Sequence, residues 1–101
     1  MRTVDEAYVE AVLSAVEQIP PGRVASYGDL AELVGRGGPR LVGRVMSTQD
    51  AGVPWWRVVR ADGRPARGLE DAALAHLRDE GVALRGDRVD MRRSRWPASL
   101  S

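Results

Sequence analysis

Apolar residues recur at Val9, Val12, Leu13 and Val16, three and four apart, and this spacing predicts a first helix. Thr3-Val4-Asp5-Glu6 has the form of a capping box at its start, and Pro20-Pro21-Gly22 ends it. A second cap signal, Ser26-Tyr27-Gly28-Asp29, leads into a short helix through Leu30, Ala31, Leu33 and Val34, with Gly35 as its stop. After the glycine turn at Gly35-Arg36-Gly37-Gly38, Pro39 suits the first position of a third helix, where its missing N–H costs nothing. In that helix Val42, Val45 and Met46 make one stripe, and Arg40, Gly43, Arg44 and Ser47 make the opposite one. The second stripe is basic and small-sided at once.

Beyond this point the pattern changes. Residues 53–59 are apolar and carry two tryptophans, Ala61-Asp62-Gly63 is a turn, and residues 64–68 read as an exposed basic loop. Residues 69–80 predict a fourth helix resting on Leu69, Ala73, Leu74 and Leu77, stopped by Gly81. Val82-Ala83-Leu84 and Val89-Asp90-Met91 are able to pair as a hairpin about Gly86-Asp87. Residues 92–101 read as a polar tail apart from Trp96, with no repeat, linker or low-complexity stretch anywhere. Two short helices, a glycine turn and a basic third helix make a helix-turn-helix. The expected fold is therefore a single domain over residues 1–101, mostly α, winged-helix-like, with a small C-terminal β-hairpin.

Composition narrows the chemistry. At 101 residues and 44% apolar the chain is enough for one core, built without Phe on Val, Leu, Ala and three Trp. No run approaches a membrane span and no basic start leads into an apolar stretch, so we expect no membrane partner and a cytoplasmic location, nucleoid-associated if bacterial. There is no cysteine, which removes disulfides, thiolate zinc sites and any cysteine nucleophile; His76 is the lone histidine, so no histidine metal cluster exists. No cofactor is expected. The net charge of +1 hides an uneven distribution: residues 22–68 hold eight arginines against four carboxylates, while residues 69–101 balance six against six. A basic middle suits a phosphate backbone, although a chain with no Lys at all also reflects a general preference for Arg.

The most informative stretch is Val53-Pro54-Trp55-Trp56-Arg57-Val58-Val59. It resembles the active-site segment of the O6-alkylguanine-DNA alkyltransferases, Pro-Cys-His-Arg-Val, at Pro54, Arg57 and Val58. Trp55 stands where the alkyl-accepting Cys would be, and Trp56 where the His that activates it would be. Val24-Ala25-Ser26-Tyr27-Gly28-Asp29-Leu30-Ala31 is similar to the family's first helix-turn-helix element, and Arg40-Leu41-Val42-Gly43-Arg44-Val45-Met46 resembles its recognition helix. The resemblance runs from residue 5 to about 91. A short chain with Trp at the cysteine position looks like the alkyltransferase-like proteins in particular, whose usual pattern is Pro-Trp followed by His or Gln; Trp56 departs from both.

The resemblance implies a lesion sensor that is not an enzyme. Alkyl transfer needs a thiolate acceptor, and indole nitrogen is no substitute at neutral pH. What remains is binding of double-stranded DNA containing alkylated guanine. In the family, Arg at the position of Arg40 fills the gap left by the flipped base, Tyr at the position of Tyr27 pushes on the target phosphate, and the recognition helix lies in the minor groove. Gly43 and Ser47 then permit close approach, and Arg44 contacts phosphate. Trp55 lines the pocket for the alkylated base; Trp56 lines it or packs beneath it. Arg57 either contacts DNA there or bonds carbonyls around the pocket. Arg67 lies in the loop that closes over the base. Arg60 and Arg64 are further candidates for phosphate contact, and His76 reads as a solvated helix residue. The implied partners are nucleotide excision repair proteins, with the chain itself a monomer. The alternative is a winged-helix regulator that reads sequence in the major groove and has no lesion pocket, although the third helix offers no Asn or Gln for base edges.

Overall fold

The computed structural model describes residues 6–48 and 52–96; the expected capping box at Thr3 and Asp5 and the loop at Asp50 and Ala51 lie outside them. Helix α1 (Glu6–Gln18) turns Tyr8, Val12, Ala15 and Val16 inward along one face. Val9 and Leu13 sit at the margin of that face, partly buried, and Tyr8 takes the inner position instead. After the Pro20-Pro21 turn come β1 (Ala25–Ser26) and α2 (Tyr27–Val34). The start of α2 is closed by a reciprocal cap. Ser26 Oγ accepts from the Asp29 N–H at 3.0 Å, and the Asp29 carboxylate accepts from the Ser26 N–H at 3.1 Å. Such a cap contributes about 1 kcal/mol. The helix stops at Gly35, whose φ of 90° is left-handed and whose N–H reaches the Ala31 carbonyl.

Helix α3 (Pro39–Thr48) follows and packs across α2 and α1, burying Val42 and Val45. A single 3-10 turn (Trp55–Arg57), β2 (Val58–Val59), α4 (Glu70–Asp79), β3 (Leu84–Arg85), β4 (Arg88–Val89) and a short α5 (Met91–Ser94) complete the described chain. The fold is mostly helical, a helix-turn-helix domain with a small antiparallel hairpin in which Leu84 faces Val89 about Gly86-Asp87. Among the described residues no helix is long and apolar enough to cross a membrane.

A two-residue parallel pairing holds the two halves together. Ala25 pairs with Val58 and Ser26 with Val59. Successive side chains of a strand point to opposite faces. Ala25 and Val58 therefore join the core of α1, α2 and α3, while Val24 and Val59 join a second core with Leu74, Leu77, Val82 and Val89.

Three expectations need correction. The chain beyond residue 91 is not a free tail as far as Trp96. It forms α5, then Val24 and Arg95 make a parallel bridge, the Trp96 N–H bonds the Val24 carbonyl at 2.7 Å, and Trp96 packs on the first core. The fourth helix starts at Glu70, leaving Leu69 at the cap position and 48% exposed instead of in the core. The 64–68 loop is anchored near its start by the fully buried Pro65, with Arg67 and Gly68 exposed.

Candidate nucleic-acid interface

Arg40, Arg44 and Ser47 stand exposed on the outer stripe of α3, with Gly43 half-buried between them. Among the described residues neither Arg40 nor Arg44 pairs its guanidinium with a carboxylate. The Ser47 and Thr48 hydroxyls turn back to the Arg44 carbonyl at 3.0 Å, so both are spent on the helix itself. A Cβ added at Gly43 would meet the Tyr27 ring at 3.9 Å, an ordinary contact. The fold thus leaves room for an alanine there, and the notch is open to the outside.

The same notch edges a cleft of about 510 Å³, within the range of about 300–1,000 Å³ common to small-molecule sites. Tyr27 from the start of α2 and Gly43, Met46 and Ser47 from α3 form one side. Val53, Trp55 and Trp56 form the wall opposite, and Ala66, Arg67 and Leu69 the rim. Of the residues expected at a pocket, Trp55, Trp56 and Arg67 border this cleft; Arg40 and Arg44 lie outside it on the outer face of α3. Leu69 is the apolar rim residue that the periodicity assigned to the core.

Arg57 does not border the cleft, which corrects its expected place as a pocket-lining residue; of its two expected roles, the bond to a backbone carbonyl is the one that the structure contains. Three residues of a 3-10 turn point about 120° apart, so when Trp55 and Trp56 face the cleft Arg57 must leave it. Its guanidinium donates from Nε to both Glu80 oxygens at 3.0 and 3.1 Å and from Nη2 to Oε2 at 2.7 Å. Nη1 donates to the Ile19 carbonyl at 2.9 Å. The Trp56 indole N–H donates to Glu80 Oε2 at 2.8 Å, and the Gly22 N–H donates to Oε1 at 3.2 Å. Burial alone would raise the Glu80 carboxyl, but these bonds and the Arg57 charge outweigh it and hold the carboxyl below the ordinary range.

Trp56 is clamped as well as bonded. His76 lies parallel to it at 3.9 Å with a 10° tilt, and Trp55 stands perpendicular at 5.8 Å and 84°. His76 is thus an aromatic support for the cleft wall, although exposed to solvent. The periodicity gave no reason to single out His76. Glu80 did carry a signal. A carboxylate at the C-terminal end of a helix opposes the macrodipole, a cost that a cationic or N–H partner from elsewhere in the chain offsets.

Tyr27 is half-buried at the mouth of the cleft. Burial pushes its hydroxyl above the ordinary tyrosine value, with the charge of Arg60 pulling the other way, so it is a neutral phenol at physiological pH. Among the described residues no group of three His, Asp or Glu is arranged to hold a metal ion.

Known proteins share this sequence pattern and fold. The family model described as 6-O-methylguanine DNA methyltransferase, DNA binding domain, matches residues 7–82. A DNA base-flipping protein of Escherichia coli K12 is 34% identical over 98 residues, 91% of this chain and 76% of its own length. Alkyltransferase-like protein 1 of Schizosaccharomyces pombe is 35% identical over 88 residues, 80% of this chain and 81% of its own. The structure of S. pombe Atl1 in complex with damaged DNA containing O6-carboxymethylguanine is similar with a TM-score of 0.80 at 28% identity, covering 95% of this chain and 98% of that one.

Proposed function

Since the chain belongs to the 6-O-methylguanine DNA methyltransferase family, DNA-binding domain, we propose that it binds duplex DNA carrying O6-alkylguanine, turns the damaged nucleotide into the cleft, and holds it unrepaired. The observation that carries this reading is the pair Trp55 and Trp56 on the cleft wall, where the motif it resembles has the acceptor Cys and its His. Transfer would form a carbon–sulfur bond to a thiolate, and the chain has no cysteine. The cleft has kept the space for a base and lost the atom that would react with it.

In this reading α3 docks in the minor groove by its small, basic stripe. Arg40 fills the vacated place in the stack, Tyr27 presses on the phosphate of the turned nucleotide, and Arg44 contacts phosphate. Flipping costs a few kcal/mol, less for a poorly paired base, and contact with Trp55 and Trp56 offsets it through apolar and ring contacts. Arg67 at the rim covers the base. The apolar lining is the support for an alkyl group, and the unpaired arginines of α3 are the support for DNA. Because no bond forms, the complex is reversible, and the held lesion serves as a flag for nucleotide excision repair.

The test is binding to two duplexes that differ only in one O6-methylguanine, with Arg40→Ala and Trp55→Ala alongside, followed by mass analysis of the DNA. Tighter binding to the lesion, weakened by both substitutions, with the methyl group still on the DNA, is the expected result. Equal affinity for the two duplexes would overturn it. The hand-over to excision repair is read genetically: loss of the protein should add no alkylation sensitivity in cells that already lack excision repair.

A further inference from the structure

The basic character of the chain does not stop at α3. Just past the pairing of Ser26 with Val59, Arg60 lies close enough to Tyr27 at the start of α2 for its charge to act on the phenol. From Arg60 the chain turns back on itself. The Gly63 N–H bonds the Arg60 carbonyl at 2.8 Å, and the Arg60 N–H bonds the Arg64 carbonyl at 2.8 Å. Gly63 is what lets this turn dock on the hairpin. The Val89 N–H bonds the Gly63 carbonyl at 2.9 Å, and a Cβ at Gly63 would run into the Val89 carbonyl oxygen. That close approach, at a φ of 91°, sets Arg88 of β4 next to the turn.

The result is a cluster with a definite sign. Arg64 is steered by Asp62, which accepts from its N–H at 3.0 Å and from Nη1 at 3.2 Å. Asp62 is held below the ordinary carboxylate range first by that backbone N–H and also by the charges of Arg64, Arg88 and Arg60. Arg88 has Asp87 at 3.9 Å, an exposed contact of little strength. Three guanidiniums therefore face two carboxylates. Farther along, the shallow groove between turn and hairpin is bordered by Arg85 and Arg92, with Asp90 spent on capping α5. The side chains of Arg64 and Arg88 remain 42% and 38% exposed.

From this continuity we infer that the ridge formed by Arg60, Arg64 and Arg88 carries the DNA backbone onward from Tyr27, as a second set of phosphate contacts beyond the recognition helix. The inference rests on the reading that α3 docks on duplex DNA. Helix α3 has ten residues, about 15 Å of axis at 1.5 Å per residue, and spans only about four or five base steps at 3.4 Å each. A ridge that begins at Tyr27 and passes the 60–64 turn to the hairpin lengthens the track on the strand whose phosphate Tyr27 meets. Asp62 orders the Arg64 guanidinium, while Arg60 is held in place by the bond from its Nε to the Pro65 carbonyl at 3.2 Å. Contacts of this kind are to phosphate, so they add affinity without regard to base or lesion.

The experiment is a salt titration of binding to a plain duplex and to the same duplex with one O6-methylguanine. It compares the wild type with Arg64→Ala, Arg88→Ala, their double variant, Arg44→Ala, and Arg78→Gln as a control. Arg78 lies two residues from His76 on α4 and so points away from the cleft side of that helix. Thermal melts establish that each variant is folded. Each ridge substitution should make the slope of log affinity against log salt shallower by about 1, and the double by about 2, equally for both duplexes. The lesion-to-plain ratio should stay unchanged, and Arg78→Gln should change neither slope nor ratio. If Arg44→Ala flattens the slope and the ridge variants do not, the ridge is no part of the track and the inference falls, while docking by α3 stands. If neither does, docking by α3 falls and takes the ridge with it. The lesion-to-plain ratio of the wild type reads the lesion pocket separately from both.

Discussion

The two flanks of the cleft are built on opposite principles. Behind the Trp55–Trp56 wall polar groups are closely matched: Glu80 alone receives the Trp56 indole, the Arg57 guanidinium and the Gly22 N–H. Across the cleft, on α3, the two arginines of the outer stripe have no carboxylate partner among the described residues, and the serine hydroxyl is spent on its own helix. The first flank was completed by folding. The second is left for something that arrives afterwards. A binding site for a flipped base on a polyanion uses both, a wall whose rings are held by stacking and hydrogen bonding and a face whose charges are not already neutralised.

The sharpest way to break this comparison is Glu80→Ala. It strands the Arg57 guanidinium, only 13% exposed, without its partner, and should cost about 3 kcal/mol, in the range for losing one member of a buried ion pair. Urea denaturation reads this directly, and the red shift of tryptophan emission should report release of Trp56. The same treatment of Arg44, on the open flank, should leave stability within about 0.5 kcal/mol.

Acid separates the flanks next. Burial would raise Asp29, but the bonds from Arg95 and Ser26 and the charge of Arg95 hold it low, as Glu80 is held low by its own partners. For such depressed groups the stabilisation is complete above the ordinary carboxylate pKa of about 4 and is lost as pH falls through the lowered folded values. Unfolding free energy should therefore be level from pH 7 to about 5 and decline below that. Asp29→Asn with Glu80→Gln should give a lower but flatter profile; an equally steep decline in that double variant would assign the acid sensitivity elsewhere.

The mildest test sharpens the contrast on the open flank alone. Gly43→Ala places a methyl where the fold has room, so it should raise stability by about 0.5–1 kcal/mol through helix propensity. DNA affinity should fall if the methyl stands in the notch where we propose that the backbone of the duplex approaches. Stability and affinity moving in opposite directions is the expected outcome; a parallel rise in both would mean that the notch is not a contact.

Much of the first half was legible in the residues because its signals are local. Ser26 with Asp29, the left-handed Gly35 and Pro39 at a helix start each act within four positions, and all three mark the ends of real elements. The outer stripe of α3 followed from helical period alone. What stayed hidden depends on partners far along the chain. Two residues of strand have no period to read, so the Ala25–Val58 pairing left no trace in the pattern. Arg57 belonged to a known motif, yet its place was decided by Glu80, 23 positions away. Arg95 looked like part of a polar tail, yet it bonds the carboxylate of Asp29 that also caps α2. Trp56 and His76 stack because a 3-10 turn and a helix meet, which neither segment announces by itself.

The way the chain is stitched also bears on how quickly it can assemble. A bundle of neighbouring helices gathers itself from contacts close in sequence and does so fast. Here the residues that fix the start of α2 come from Val58 and Val59 and from Arg95, the last of these 66 positions beyond the aspartate it holds. Closing loops of that length has to precede any reward from the contacts they make. Helix α2 can therefore flicker into being early, but Tyr27 gains its fixed bearing toward the cleft only when both distant segments have come home.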